Sequence, residues 1–506
     1  MKLGSRGRYA VMAMVDLGLN AGARPVRLAD VSYRQEIPLS YLEQLFARLR
    51  RHGLVNSVRG PGGGYLLAHP ARRISIMDVV AAVDEPTRVT RCRNESPSRG
   101  CMTSRTRCLT HDLWAGLGEQ IETFLDDVTL EDVCQGPQQA ATHYLDHNAT
   151  SPLRPQARKA AFRAMACAGN ASSVHRHGRH ARSLIEDARE IVASYVGCSP
   201  LEVVFTSGGT EANNLALLGP DCRRVLISAI EHPSVARAVR GSVAIPVDHH
   251  GCVDLEVLEA ELAHDAGPAL VSVMAANNET GVVQPLADVM HIARQHGALI
   301  HCDAVQAAGR YCGAWQEADL VSLSAHKFGG MTGAGALIVR DGVPLAARSR
   351  GGGQEYGLRA GTESLAAIAA FGAAVTAASG DDAARLRQLR DDMEARMLDA
   401  VPDAVVFSGD AGRLDNTLAI AHPEIDAETM VMSFDLDCVA ISAGSACSSG
   451  RMEPSAVIEA MGFPSLSRHA VRLSLGWSST PEDSDAAVRA WKAADTRHRA
   501  RRQAAR

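Results

Sequence analysis

The sequence predicts an α/β protein: a large domain on a mainly parallel sheet, a smaller α+β lobe after it, and a winged helix-turn-helix domain in front. Three observations predict it. From Tyr144 onward, short apolar runs (VVFT, RVLISAI, ALVSVMAA, ALIHCDAV, LVSLSA and GALIVR) alternate with helical stretches, the rhythm of strands joined by crossover helices. After about residue 375 the chain turns to long Arg-, Asp- and Ala-rich helical sequence with fewer strands. The front end instead pairs amphipathic helical patterns with one Gly-rich turn.

A chain of 506 residues exceeds one ordinary core. Its divisions are read as 1–134 for the front domain, 135–142 (QGPQQAAT) for a polar linker, 143–495 for the α/β body and 496–506 for a basic, solvated tail. With 46% apolar and 22% charged residues the composition is that of a globular protein, and without an apolar run of about 18 residues no membrane span is expected. Asp16 interrupts the apolar start and no small-residue cleavage site follows, so no export signal is expected and the chain reads as cytoplasmic. Twelve cysteines in such a chain are expected as reduced thiols, cluster ligands or catalytic groups, not as a disulfide framework. The net charge of −5 is uneven: residues 1–110 carry 18 Lys and Arg against 8 Asp and Glu, an excess of +10 that leaves −15 for the rest. Such a distribution expects the front end to meet a polyanion.

VRLADVSYRQEI and PLSYLEQLFARLRRHGLV read as two helices joined by a tight turn, the second with Tyr41, Leu42, Leu45, Phe46 and Leu49 on one side. VNSVRGPGGGYLLAH then reads as a β wing around a Gly-Pro-Gly-Gly-Gly turn. Such a unit sets the second helix into the DNA major groove while basic residues hold phosphates, a task for which Arg48, Arg50, Arg51 and Arg59 are placed. Ser40 and Glu43 read either as a Ser-x-x-Glu capping box or, for Glu43, as an acceptor for a cytosine amino group; the residues alone favour the cap. Downstream, Cys92, Cys101, Cys108 and His111 stand within twenty residues. Thiolates and imidazole suit zinc or an iron–sulfur cluster, and C-x8-C-x6-C-x2-H is not a common zinc-finger spacing.

These residues resemble the iron–sulfur cluster regulators of the IscR type, through GRYAVMAM, PLSYLEQLFARLR, GLVNSVRGPGGGYLL, VDEPTRVTRC and CLTHDLW. The resemblance implies a [2Fe-2S] cluster on Cys92, Cys101, Cys108 and His111, although the loops between these cysteines are longer than the family's usual pattern. It also implies DNA contacts by Ser40, Glu43, Gln44 and Arg59.

In the body, Lys327 ends an apolar strand and enters a Gly-rich turn (LVSLSAHKFGG), where a lysine can form a Schiff base with pyridoxal phosphate. Asp303 (ALIHCDAVQAAG) ends another strand, placed to keep the cofactor's ring nitrogen protonated, with Gln306 three residues on for the phenolic oxygen. TSGGTEANN opens a helix after VVFT, so amides at Gly209 and the Thr210 hydroxyl are candidates for the phosphate, with Ser324 and His326 as further donors. His232 (SAIEHPSV) is a candidate to stack on the ring or move protons, and Asn278 (AANNETG) supplies an amide for cofactor and substrate. Cys447 sits in a Gly-, Ala- and Ser-rich segment (ISAGSACSSGRMEPS) that reads as an exposed loop; its thiolate can take sulfur from a cofactor-bound cysteine as a persulfide, leaving alanine. Arg472 (AVRLSLG) is the natural bidentate partner for a substrate carboxylate.

Over nearly all of residues 143–490 the chain resembles cysteine desulfurases of the IscS/NifS type. YLDHNATSPLRP, FTSGGTEANNLAL, NNETGVVQP, HCDAVQ, SAHKFGG, GGGQEYGLRAGTES and SAGSACSS carry the likeness. It implies a fold-type I homodimer with pyridoxal phosphate on Lys327, His232 stacked on the ring, and phosphate held by Thr210, Ser324 and His326. Thr362 would reach the phosphate of the partner subunit, and Cys447 would be the nucleophile. The expected function is sulfur supply for iron–sulfur cluster assembly, to a scaffold protein or another acceptor, by an enzyme fused to a cluster-sensing regulator. The alternative is a transcription factor whose enzyme-like body is only a sensor. The intact set of Lys327, Asp303, His232 and Cys447 argues against it.

Overall fold

The computed structural model describes residues 5–20, 25–58, 60, 63–84, 118, 121–123, 125–126, 128–134, 142–265, 267–444 and 453–504. The chain divides into two compact units, 1–141 and 142–506.

The first unit contains α1 (Ser5–Asn20), α2 (Leu28–Gln35), α3 (Leu39–Arg51), β1 (Val55–Val58), β2 (Gly64–Leu67) and α4 (Ile76–Ala82). The apolar stripe of α3 buries Leu42, Leu45, Phe46 and Leu49 in one cluster with Ala10, Met14, Leu17 and Val31. Asp16 is buried on α1 and accepts from Arg34 Nη2 at 2.6 Å and Gln35 Nε2 at 2.8 Å, tying α1 to α2. β1 and β2 pair antiparallel from Val55↔Leu67 to Val58↔Gly64, forming the stem of the expected wing.

The capping box expected at Ser40 and Glu43 is not formed. α3 begins two residues earlier than that box requires, with Pro38 at its N-cap and no side-chain cap, so Ser40 is already inside the first turn. The box occurs instead at α4, where Ser75 Oγ accepts from Asp78 N–H at 3.0 Å and the Asp78 carboxylate accepts from Ser75 N–H at 2.9 Å.

In the second unit, seven strands make the large sheet: β3 (Val203–Thr206), β4 (Arg224–Ser228), β5 (Val243–Ile245), β6 (Ala269–Ser272), β7 (Leu299–Asp303), β8 (Leu320–Ser324) and β9 (Gly335–Val339). Their order is β3-β9-β8-β7-β6-β4-β5. β5, β4, β6, β7 and β8 run parallel, whereas β9 is antiparallel to both β8 and β3. Helices cover the sheet, which is why β3, β6 and β8 are buried at every position and are mostly apolar, with only small hydroxyl residues (Thr206, Ser272, Ser322 and Ser324) among them. The smaller lobe holds an antiparallel sheet of β10 (Val405–Val406), β11 (Thr417–Ala421), β12 (Ser442–Ala443) and β13 (Ala470–Ser474), in the order β10-β11-β13-β12. Its core is separate, around Phe434, Leu473 and Trp491.

Residues 496–504 of the expected loose basic tail belong instead to a helix, Pro481–Ala504. Its arginines have acidic partners on the small lobe: Arg497 donates to Asp437 at 2.8 Å and Arg502 pairs with Glu424. Among the described residues no helix is long and apolar enough to cross a membrane.

Candidate functional site

The C-terminal edge of the parallel strands gathers the chemistry, as open α/β sheets generally do. β8 ends at Ser324, and one turn further Lys327 Nζ donates to the backbone carbonyls of Asn148 (2.8 Å) and Ala149 (3.0 Å). Burial, then the nearby Arg472 and Arg310 guanidinium groups, pushes this amine down to about 8, while Asp303 and Asp146 pull the other way. β7 ends at the buried Asp303, whose carboxylate accepts from Asn213 Nδ2 at 2.7 Å and from Val305 N–H at 3.0 Å. Gln306 is buried three residues on and donates to the Asn148 carbonyl at 3.0 Å.

After β3, the helix α5 (Gly209–Leu218) starts at Gly208 with no side-chain cap, which leaves its first amides available to an anion. Gly209 must lack a side chain: a Cβ there would lie 2.8 Å from Val305 Cγ2 and 3.4 Å from Ser324 Cβ, so the turn packs directly onto the ends of β7 and β8. Thr210 is exposed beside it. His326, pushed down to about 4 by burial and then by Lys327 and Arg310, is neutral, with Nδ1 3.1 Å from Thr150 Oγ1. His232 caps α6 (Pro233–Ala236) and is influenced by both Asp303 and Lys327.

Arg472, on β13, is buried but not free. Its Nη2 donates to Asp146 at 2.6 Å and its Nη1 to the Asn278 carbonyl at 2.9 Å, while its buried Nε has no partner. Asp146 was not singled out from the sequence, and neither was Asn148. The latter is a buried hub whose Nδ2 donates to Thr417 Oγ1 at 2.9 Å and whose carbonyl receives Lys327 and Gln306. Their signal was the motif YLDHNATSPLRP itself. A cleft of about 320 Å³ opens beside Lys327, lined by Ser151, Arg310, Asn416 and Trp477 among others. Asp303, His232 and Gly209 do not line it, so it neighbours the gathered groups without being their cradle.

Cys447 lies outside the described residues, but the residues bracketing it do not. The buried Glu279 accepts from Ser455 Oγ at 2.6 Å. Glu279 also approaches Gly444 so closely that a Cβ there would meet its Oε2 at 2.3 Å. One buried side chain therefore touches both stems of the segment that carries the thiol. Thr362 is exposed ahead of the helix Leu365–Ala378, and no described hydrogen bond ties it to the other site residues.

In the first unit, Ser40, Glu43 and Gln44 are exposed together on α3. Arg50 and Arg51 are exposed as well, whereas Arg48, expected to hold phosphate, is ion-paired with Asp84. Arg59, Cys92, Cys101, Cys108 and His111 lie outside the described residues. Among the described residues no group of His, Cys, Asp or Glu is placed to hold a metal ion.

The donor set of the second unit fits pyridoxal phosphate. An amine with a lowered proton affinity, a buried carboxylate, and uncapped helix amides beside neutral donors match the cofactor's aldehyde, ring nitrogen and phosphate in turn.

Residues 143–486 match the family model described as Aminotransferase class-V. Residues 3–136 match Rrf2, described as Iron-dependent Transcriptional regulator. The chain is 41% identical over 358 residues to a cysteine desulfurase of Cereibacter sphaeroides, covering 67% of this chain and 92% of that protein. It is 38% identical over 369 residues to an IscS-like cysteine desulfurase of Mycobacterium tuberculosis, covering 68% and 94%. Among solved structures, a NifS-like protein from Rickettsia africae superposes with a TM-score of 0.65 at 34% identity, over 70% of this chain and 99% of that one. With its strand-end lysine and carboxylate in place, the chain belongs to the class-V aminotransferase family, in the company of the cysteine desulfurases, and bears an Rrf2-family domain at its front.

Proposed function

We propose that the protein is a pyridoxal-phosphate-dependent cysteine desulfurase that converts L-cysteine to L-alanine and holds the sulfur as a persulfide on Cys447, fused to a cluster-sensing DNA-binding regulator. The observation that carries this reading is Lys327 one turn past β8, an amine pushed down to about 8 by burial and by the Arg472 and Arg310 guanidinium groups, with the Asp303 carboxylate at the neighbouring strand end. When bound, the cofactor supplies an electron sink.

The chain's own residues do the rest. Lys327 would hold the aldehyde and Asp303 would keep the ring nitrogen protonated; Gln306 and Asn278 would offer amides, Gly209, Thr210, Ser324 and His326 would hold the phosphate, and His232 would serve the ring. Arg472, already turned by Asp146, takes the substrate carboxylate. The Cys447 thiolate attacks the substrate sulfur: an S–S bond forms as the C–S bond breaks, and the carbon keeps the electron pair and is protonated to alanine. Sulfur then passes to a scaffold protein or another acceptor for iron–sulfur assembly.

In the first unit, Ser40, Glu43, Gln44 and Arg59 contact DNA, and a [2Fe-2S] cluster sits on Cys92, Cys101, Cys108 and His111. Residue types and the match to an iron-dependent regulator support the cluster. A homodimer, completed by Thr362 of each subunit, is supported by the exposed apolar side chains of Phe162, Met165 and Val174.

The test is an assay of purified protein with L-cysteine. Alanine release with a Cys447-linked persulfide is expected. Lys327→Ala loses both the cofactor's visible band and turnover, and Cys447→Ser keeps the band but forms no persulfide. Full sulfur transfer by Cys447→Ser overturns the assignment.

A further inference from the structure

Three hydrogen bonds form a chain that leads away from Asp303. Asn213, buried on α5, uses both hydrogens of its amide nitrogen: one goes to Asp303 Oδ2 at 2.7 Å, the other to Ser234 Oγ at 2.9 Å. The opposite orientation of this amide would set its carbonyl oxygen against a carboxylate oxygen, two acceptors face to face. Asp303 therefore dictates which way Asn213 points. Ser234 Oγ, having accepted from Asn213, has its own hydrogen to give, and His232 Nδ1 lies 2.7 Å away. The backbone N–H of Ser234 donates to the same Nδ1 at 3.2 Å, because His232 is the N-cap of α6. Two donors thus converge on one ring nitrogen. Desolvation lowers the proton affinity of His232 and Lys327 lowers it further, against a pull from Asp303, so the ring is neutral and carries one hydrogen.

We propose that Asn213 and Ser234 are positioning residues that lock His232 in the tautomer with its hydrogen on Nε2, so that in the resting protein it meets cofactor or substrate as a hydrogen-bond donor and not as a base. The nitrogen able to accept a proton is occupied by Ser234. For Nε2 of His232 to serve as a base during turnover, the hydrogen must move to Nδ1, the Ser234 hydroxyl must turn to accept it, and the Ser234 backbone N–H must let go. The lock itself is a property of the chain; only its catalytic consequence rests on the desulfurase reading.

Diethyl pyrocarbonate acylates an imidazole nitrogen whose lone pair is free, which makes it a probe of the tautomer. The full chain, freed of cofactor, is labelled at neutral pH, and the His232 peptide is quantified by mass spectrometry against the exposed His180 as internal reference. Wild-type His232 is expected to label slowly for an exposed ring. Ser234→Ala removes one neutral donor and is expected to raise His232 labelling about five- to tenfold, with His180 unchanged. Ser234→Thr keeps the hydroxyl and is expected to restore slow labelling. Equal labelling of wild type and Ser234→Ala overturns the proposal that Asn213 and the Ser234 side chain set the tautomer. If the labelling contrast is present but no alanine is released from cysteine, the lock stands and the desulfurase reading falls.

Discussion

Lys327 owes its low proton affinity to burial and to two guanidinium groups, and this has a sign that can be checked. Below about 8 the amine is protonated and cannot attack an aldehyde; above it the lone pair is free. Capture of pyridoxal phosphate by the cofactor-free protein, followed at the visible band, is expected to speed up with rising pH, with a midpoint near 8 in place of the 10.5 of an ordinary lysine. A second prediction concerns Asp146, which orients Arg472. Asp146→Ala is expected to raise the KM for cysteine about tenfold with a smaller effect on kcat, because the guanidinium loses the partner that aims it. Steady-state kinetics decide it. At this scale the sequence revealed groups whose type announces their chemistry: a lysine after a strand, an aspartate ending one. Asp146, Asn148, Asn213 and Ser234 were not legible in that way. They are ordinary polar residues that act through partners far along the chain, and only folding shows that Asn213 bridges to positions 234 and 303.

Periodicity made the elements readable wherever one face had to be buried. The stripe of α3 and the fully buried, mostly apolar runs of β3, β6 and β8 follow from what covers them. Helix starts were harder, because Ser-x-x-Glu cannot say whether the serine is the cap or lies within the first turn, and Pro38 decided it. The basic tail misled because composition does not show that Glu424 and Asp437 await its arginines. Two predictions belong here. Ser455 caps a short helix and also donates to Glu279, so Ser455→Ala is expected to cost about 1 kcal/mol in denaturant unfolding. It is also expected to slow persulfide formation in a single turnover without weakening cysteine binding. In the first unit, Asp16→Ala strands Arg34 and Gln35 and is expected to cost about 1–3 kcal/mol, read from thermal or denaturant unfolding.

For the whole molecule, the separation of charge sets an expectation about salt. The front carries the positive excess and the body the negative one. DNA binding is expected to weaken steeply as salt rises, and Arg50→Ala to reduce the log–log slope by about 0.9 if that exposed side chain holds a phosphate. Cysteine turnover, confined to the body, should follow salt much less. The first residues of the second unit are held along their whole length. Residues 143–144 pair with Val439–Ala440 of the small lobe, Asp146 grips Arg472, Asn148 receives Lys327, and Arg154 binds Asp381. Residues 143–154 of the second unit are thus stitched at four points into the groups around Lys327 and Arg472. An insertion anywhere within that short run would therefore disturb both cations, Lys327 and Arg472, in a single stroke.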